Sequence, residues 1–379
     1  MKSILDREIS YETPKWKRLT LPENLFPQSN QTVTETLSIE GNGIEIKPFE
    51  SFHEAWFNTK HHTKNLGQPF ENYINQENNH GYVVESKSRD ENAQVKIDYK
   101  LTQDKPVLVD NNLFIAHEGA HLTVILNYQT LGDFARSNLA SGSLASSDTA
   151  ENVPVLAQHY GNTRVIAKRG SHVKVIKIQN LGEQDYNFDQ NFSVVEEGAV
   201  LELIDIQFGS QINAVSYESH LQGRHSNADL QSLYFGEDQS QLDLSFTMRH
   251  FGAKSESKIL SKGALSGQSK KTFRGNLIFE TGSAQSVGRE KEVVTLLDEK
   301  VKSDSIPALM CSEDDVIGEH AASVGQLDQD KIFYLMSRGL SLEAAKKLVI
   351  KASFEEVLST ISDETLKADI EASLDRRLS

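Results

Sequence analysis

The 379-residue chain carries 39 basic and 54 acidic residues, a net charge of −15, which argues against a dedicated nucleic-acid or anionic-membrane surface. A single cysteine, Cys311, excludes an internal disulfide and any Cys-x-x-Cys metal site. No window approaches the ~20 continuous apolar residues of a membrane-spanning helix, and the first residues lack the apolar run of a signal peptide, so the expectation is a soluble, cytoplasmic protein.

The chain divides into three expected regions. Residues 1–80 are polar and broken by Pro14, Pro22, Pro27, Pro48 and Pro69, with a short helix expected in "FESFHEAWFNTKHH" (49–62). Residues 81–325 alternate like strands, as in "QVKIDYKL" and "NLFIAHEGAHLTVILNY", around a Ser/Ala/Gly loop at 137–154. Residues 326–379 switch to a helical period.

The middle region repeats. "GAHLTVILNY" from Gly119, "GSHVKVIKIQ" from Gly170 and "GAVLELIDIQ" from Gly198 each place a glycine and a small residue before a strand. Weaker echoes begin at Asn227, Gly252 and Gly282. Glycine supplies the positive φ that a tight corner needs. Short strands each opened by a corner predict a β-helix whose repeats stack on one side, with a β-sandwich as the alternative.

In the tail, "DQDKIFYLMSRG" predicts a helix from an Asp328 cap to a Gly339 stop, and "SLEAAKKLVIKA" one from a Ser341 cap. "SFEEVLSTI" suggests a capping box from Ser353 to Glu356. The last helix places Leu366, Ile370, Leu374 and Leu378 on one face. Because solenoid coils depend mainly on their neighbours, truncation after Gly325 is expected to leave the β-helix folded.

The motifs of enzymes are weak. "HEGAH" (117–121) matches the zinc-hydrolase HExxH, but that chemistry needs a helix, and here the repeat puts His121 in the slot of His172 and Val200. There is no phosphate loop, no dinucleotide fingerprint and no nucleophile elbow. A β-helix carbohydrate-active enzyme would want paired carboxylates registered on adjacent coils, and the acids show no such pairing. Alternation in "PALMCSEDD" suggests Cys311 as a buried small apolar residue. His320 differs from a lone core histidine, because Glu319, Asp315 and Asp314 lie close enough in sequence to raise its pKa or share a cation.

"SDSIPALMCSEDDVIGEHAASVGQLDQDKIFYLMSRGLS" resembles the signature of the SufB/SufD family of the SUF iron–sulfur cluster assembly system, and "MRHFGAKSESKILSKGALSGQSKKTFRGNLIF" (248–279) the segment before it. "WKRLTLP" (16–22) resembles an element near SufD N-termini; with the short N-terminal region and the Asp-Asp-Val form it points to the SufD branch over SufB. The resemblance implies a right-handed parallel β-helix flanked by N- and C-terminal helical domains. It implies a non-catalytic scaffold that pairs with SufB through the β-helix and binds the SufC ATPase through its C-terminal helices; the sequence leaves open whether the isolated chain forms a homodimer. The implied cofactor is a transient iron–sulfur cluster shared with SufB, none being held stably by this chain alone. His320 occupies the place of a histidine implicated at the SufB–SufD interface; as a metal ligand or proton carrier it would have Glu319 to set its tautomer. Gly318 stands where relatives often carry Cys, and Cys311 where an aliphatic residue is usual. Phe333, Tyr334, Arg338, Gly339, Leu348, Phe354 and Leu358 are the expected contacts with the ATPase.

Overall fold

The computed structural model describes residues 33–49, 68–131 and 156–378, with Pro27 and Leu66. The expected helix at 49–62, the element at 16–22 and the loop at 137–154 lie outside the described residues, apart from Phe49.

From β3 onward, strands alternate between two sheets as the chain advances. The first sheet orders β1 (Thr34–Glu40), β4 (Gln94–Leu101), β6 (His121–Thr130), β8 (His172–Asn180), β10 (Val200–Phe208), β12 (Asn227–Gly236), β14 (Glu256–Leu265), β16 (Ser286–Leu296) and β19 (Val316–Gln326). The second orders β2 (Ile44–Pro48), β3 (Tyr82–Ser86), β5 (Val107–Ala116), β7 (Gln158–Ala167), β9 (Tyr186–Val195), β11 (Ile212–Leu221), β13 (Gln241–His250), β15 (Lys270–Phe279) and β17 (Lys302–Ser305), with β18 (Ala308–Cys311) also on β15. Beyond the antiparallel β1–β4 and β2–β3 pairs, the named strands pair in parallel with the strand one coil away. This is a parallel β-solenoid, as the repeat predicted, and the sandwich alternative falls.

The glycine repeat is the physical corner of each coil. His121, His172 and Val200 stack in register, and two residues before each sits a glycine in the left-handed region, Gly119, Gly170 and Gly198 at φ 62°, 63° and 64°. In the next coils the same slot is filled by His225, Lys254 and Gln285, at φ 58°, 58° and 63°. The corner persists while its glycine does not, which is why the later repeats look weak in sequence.

The central strands bury residues on both faces. One lines the lumen: Val95, Ile97, Tyr99, Val124, Leu126, Leu203, Leu230, Phe246 and Phe273 belong to this inner core. The outer face of the first sheet is also apolar, with Ile125, Ile178, Ile206, Phe208, Leu233 and Phe235 buried. Helices α2 (Gln329–Ser337), α3 (Leu342–Leu358) and α4 (Glu364–Arg377) cover it with Ile332, Ile350, Phe354, Val357, Leu366, Ile370 and Leu374. On the second sheet, α1 (Gln68–Glu77) lays Phe70, Tyr73 and Ile74 on Val109, Tyr160 and Phe188. Full burial of such a side chain contributes ~1.5–3 kcal/mol, so the tail is held to the solenoid over a large apolar contact. Polar ties add direction: Lys174 Nζ donates to the Thr360 carbonyl at 2.8 Å, Lys262 Nζ to that of Ser353 at 2.9 Å, and Arg377 pairs with Glu237. Cutting the tail away would therefore uncover a core, contrary to the expectation that the coils need only each other.

Asp328 and Ser341 cap α2 and α3 as expected, and Gly339, at φ 97°, ends α2. The capping box at Ser353 is not formed. α3 runs unbroken through it, and the Ser353 hydroxyl donates to the Ile350 carbonyl at 2.7 Å within the helix.

Candidate functional site

The stretch from Glu313 to Gln326 is the last coil of the solenoid. β19 pairs with β16 on one side and, among the described residues, has no neighbouring strand on the other, and β18 likewise ends its sheet. With no further coil among the described residues, apolar side chains on both faces of these end strands are exposed: Val324 at 44% and Leu309 at 39% on the inward face, Ile317 at 53% and Met310 at 39% on the outer one. Cys311 is exposed here as well, which corrects its reading as a buried apolar residue; it ends β18, which no coil covers.

The parallel register fixes where His320 faces. One lumen column runs Val124, Val175, Leu203, Leu230, Ile259, Glu290 and His320 on successive strands of the first sheet. In-register neighbours share a pleat face, so His320 faces the lumen above Glu290, at its open end. Gly318, two residues earlier on the same face, would direct a Cβ onto the Leu309 side chain of the opposite sheet. Glu319 lies on the opposite face of the strand, where its carboxylate pairs with Arg289 at 3.1 Å. Adjacent strand residues diverge, so Glu319 does not orient the His320 ring, and the expected pair is not formed. Nearby, the Glu313 carboxylate accepts from the Gly282 amide at 3.0 Å, and the backbone carbonyl of Asp315 accepts from the Gln285 amide.

Beneath His320 the lumen turns ionic. Lys271 Nζ reaches the Glu292 carboxylate at 2.6 Å, the Ser305 hydroxyl at 3.2 Å and the Asp304 carbonyl at 3.3 Å. Glu292 also accepts from Tyr234 at 2.9 Å and from Ser305. Burial lowers the Lys271 pKa, and Glu292 offsets part of that. Glu290 is different. It is 3% exposed, and neither carboxylate oxygen has a hydrogen-bond partner among the described residues. Burial and then the charge of Glu292 push its pKa up to about 7. It lies against Gly275 across the lumen, where a Cβ would come within 2.7 Å of its side chain. Sequence reading missed this cluster because "GREKEVV" offers two adjacent valines, Val293 and Val294, and so two possible phases for the inward face.

The expected ATPase contacts separate into two groups. Phe333, Tyr334 and Leu348 are exposed at 75%, 56% and 46%. Arg338 is exposed beside them, its guanidinium 5.2 Å from the Tyr334 ring centre, with Gly339 next to it. Phe354 and Leu358 are 1% exposed, within the core between helices and sheet. Those two hold the tail in place and offer no surface to a partner, a correction to the sequence reading.

The zinc reading of "HEGAH" also fails. Residues 117–120 form a turn, not a helix: His117 Nε2 meets Glu85 at 2.8 Å, and His121 opens β6. Among the described residues no three His, Cys, Asp or Glu side chains are grouped to hold a metal ion, and no helix is long and apolar enough to cross a membrane.

A parallel solenoid, closed by helices on its outer face and open at its last coil, is the class of molecule these features define. The family model for the SufBD core domain, described as SUF system FeS cluster assembly, matches residues 99–353, and the chain belongs to this family. It is 31% identical over 160 residues to the iron–sulfur cluster assembly protein SufD of Bacillus subtilis, covering 42% of this chain and 37% of that one. It is 29% identical over 236 residues to SufB of the same organism, covering 61% and 50%. An iron–sulfur cluster assembly SufBD family protein of Mycobacterium leprae is 26% identical over 269 residues, 68% of this chain and 31% of that one. The chain thus spans between about a third and a half of the length of these relatives.

Proposed function

We propose that this chain is a SufD-like scaffold subunit for iron–sulfur cluster assembly, working with a SufB-like partner and a SufC-like ATPase. The observation that carries the reading is the open last coil. Among the described residues β18 and β19 present unpaired edges, with Leu309 and Val324 exposed on the inward face that carries His320 and Met310 and Ile317 exposed on the outer one. Open edges and uncovered apolar residues are costs that a second solenoid would remove by continuing the sheets. The same surface would serve a homodimer when the partner is absent.

In this reading His320 acts at the junction, as a ligand or proton carrier for a nascent cluster completed by the partner's groups. The cluster is cargo held in transit between two chains. The exposed Phe333, Tyr334, Arg338 and Leu348 of the tail are the ATPase contact, which brings in the hydrolysis for which this chain has no phosphate loop. The chain itself performs no turnover, and its place is the cytoplasm. The division into 1–80, 81–325 and 326–379 then separates an N-terminal region, a pairing solenoid and a docking tail.

Co-expression with SufB-like and SufC-like proteins tests this. The three should co-purify, and Ile317→Asp with Val324→Asp should release the SufB-like chain while retaining the ATPase. Retention of the SufB-like chain by that variant would place pairing elsewhere. A second reading, a SufB-like paralogue, is favoured by the longer match to SufB. It requires cluster chemistry at the exposed Cys311, so Cys311→Ser would abolish assembly; in the SufD-like reading that variant assembles clusters and His320→Ala does not.

A further inference from the structure

The buried Glu290 carboxyl has no hydrogen-bond partner among the described residues, and Lys271 acts on it only through its charge. Glu292 is served by Lys271, Tyr234 and Ser305, whereas Glu290 shares its strand face with Glu292 and receives no donor among the described residues. Its column is aliphatic from Val124 to Ile259 and becomes carboxyl and imidazole only in the last two strands, at Glu290 and His320. Gly288 on one side of Glu290, and Gly318 and Ala322 on either side of His320, are small, while Glu292 flanks Glu290 on its other side. Gly275 leaves room for the Glu290 side chain across the lumen.

We propose that Glu290 and His320 form a two-ligand half-site for a divalent transition metal inside the last coil, with ferrous iron as its ion in cluster assembly. The inference rests on the functional reading above and adds a residue, an ion and a place to it. In-register residues on neighbouring strands stand ~4.8 Å apart. That spacing lets a carboxylate oxygen and an imidazole nitrogen converge on one ion at ~2.0–2.2 Å from each. A mixed oxygen and nitrogen set suits a first-row divalent ion, whereas magnesium and calcium favour oxygen alone. Lys271 is taken up by Glu292, which leaves the Glu290 carboxylate to oppose an anion. Two protein ligands leave the remaining positions to the open end, where a partner chain's groups or sulfide reach the ion. Glu290 stays buried among the described coils, so it anchors the ion while His320 faces the junction.

The test is titration of the full-length chain with Co2+ alone, without oxygen, followed by the visible absorption of the bound ion. Wild-type protein should bind one ion per chain. Glu290→Gln and His320→Ala should each weaken binding at least ~10-fold, the lower bound even for loss of a group that only supports a ligand. Glu319→Gln, on the outer face beside Arg289, should leave the affinity unchanged. Gly275→Ala gives a second probe independent of how Glu290→Gln folds: its methyl displaces the Glu290 side chain and should also weaken binding. Absence of stoichiometric Co2+ in the wild type overturns the half-site, as does wild-type affinity in folded Glu290→Gln or in Gly275→Ala. The titration contains no partner. Loss of pairing with a SufB-like chain would therefore sink the functional reading and leave the half-site standing. Normal pairing without Co2+ binding would do the reverse.

Discussion

Lys271→Met tests whether the last coils are held by the ionic lumen. Lys271 is 1% exposed and its ammonium donates to Glu292, Ser305 and the Asp304 carbonyl. Methionine fills similar space without the charge. Glu292, itself 0% exposed, would keep the Tyr234 and Ser305 hydroxyls but lose its cation, with Glu290 two residues away on the same face. Removing one partner of a buried ion pair typically costs about 3–5 kcal/mol, because the other charge stays desolvated. The variant should therefore lose about that much in urea unfolding followed by circular dichroism. Since a solenoid can open from one end, amide exchange should accelerate first in β15, β16 and β19. Lys271→Met with Glu292→Gln removes both charges and should recover all but about 1–2 kcal/mol. A cost under about 1 kcal/mol with unchanged exchange would refute the argument, and so would a double variant no better than the single one.

Asp205 gives a pH dependence of known sign. Burial pushes its pKa from 3.8 up to about 7, so its contribution is fully present below pH 3.8 and is lost as pH rises through 7. Asp205→Asn should flatten that decline in unfolding free energy between pH 4 and 8, measured in urea, by at most about 4 kcal/mol at the alkaline end. The amide cannot reproduce every bond from Gln207, Tyr217 and Ser232, which reduces the gain; a variant that declines as steeply as wild type would contradict the assignment. Phe333→Ala and Tyr334→Ala should stay within about 0.5 kcal/mol of wild-type stability while weakening capture of a SufC-like ATPase by about 2 kcal/mol each. Phe354→Ala should instead cost about 3–5 kcal/mol of stability in denaturant. Removal of 328–379 should give protein that aggregates by light scattering, since Ile206, Phe208 and Phe235 lose their cover; a monomeric, cooperatively folding fragment would show that the tail is dispensable to the solenoid.

The solenoid was legible because its corners demand an unusual backbone, and in three coils glycine marks that demand at Gly119, Gly170 and Gly198. Where His225, Lys254 and Gln285 take the left-handed slot, the marker vanishes while the geometry stays. The helix caps at Asp328 and Ser341 were legible for a similar reason: a side-chain oxygen must meet free amides at a fixed offset. Ser353 carried the same local signal and failed. The packing of Ile350, Phe354 and Val357 on the sheet favours one continuous helix over a new start.

What stayed hidden depends on how many coils follow. Ile259 and Glu290 occupy one column, yet nothing local in either strand says that the column ends one residue later at His320. Alternation puts Cys311 in the core, but alternation specifies a face of a strand, not what lies beyond it, and the thiol is exposed. The same holds for Phe354 and Phe333. Both are tail aromatics, but only the one facing Phe235, Leu233 and their neighbours is covered. At the last coil, the inward residues of β19 become surface while those of β16 remain core. That change puts a buried acid next to an accessible imidazole on consecutive strands, a juxtaposition that only the final turn of this repeat can provide.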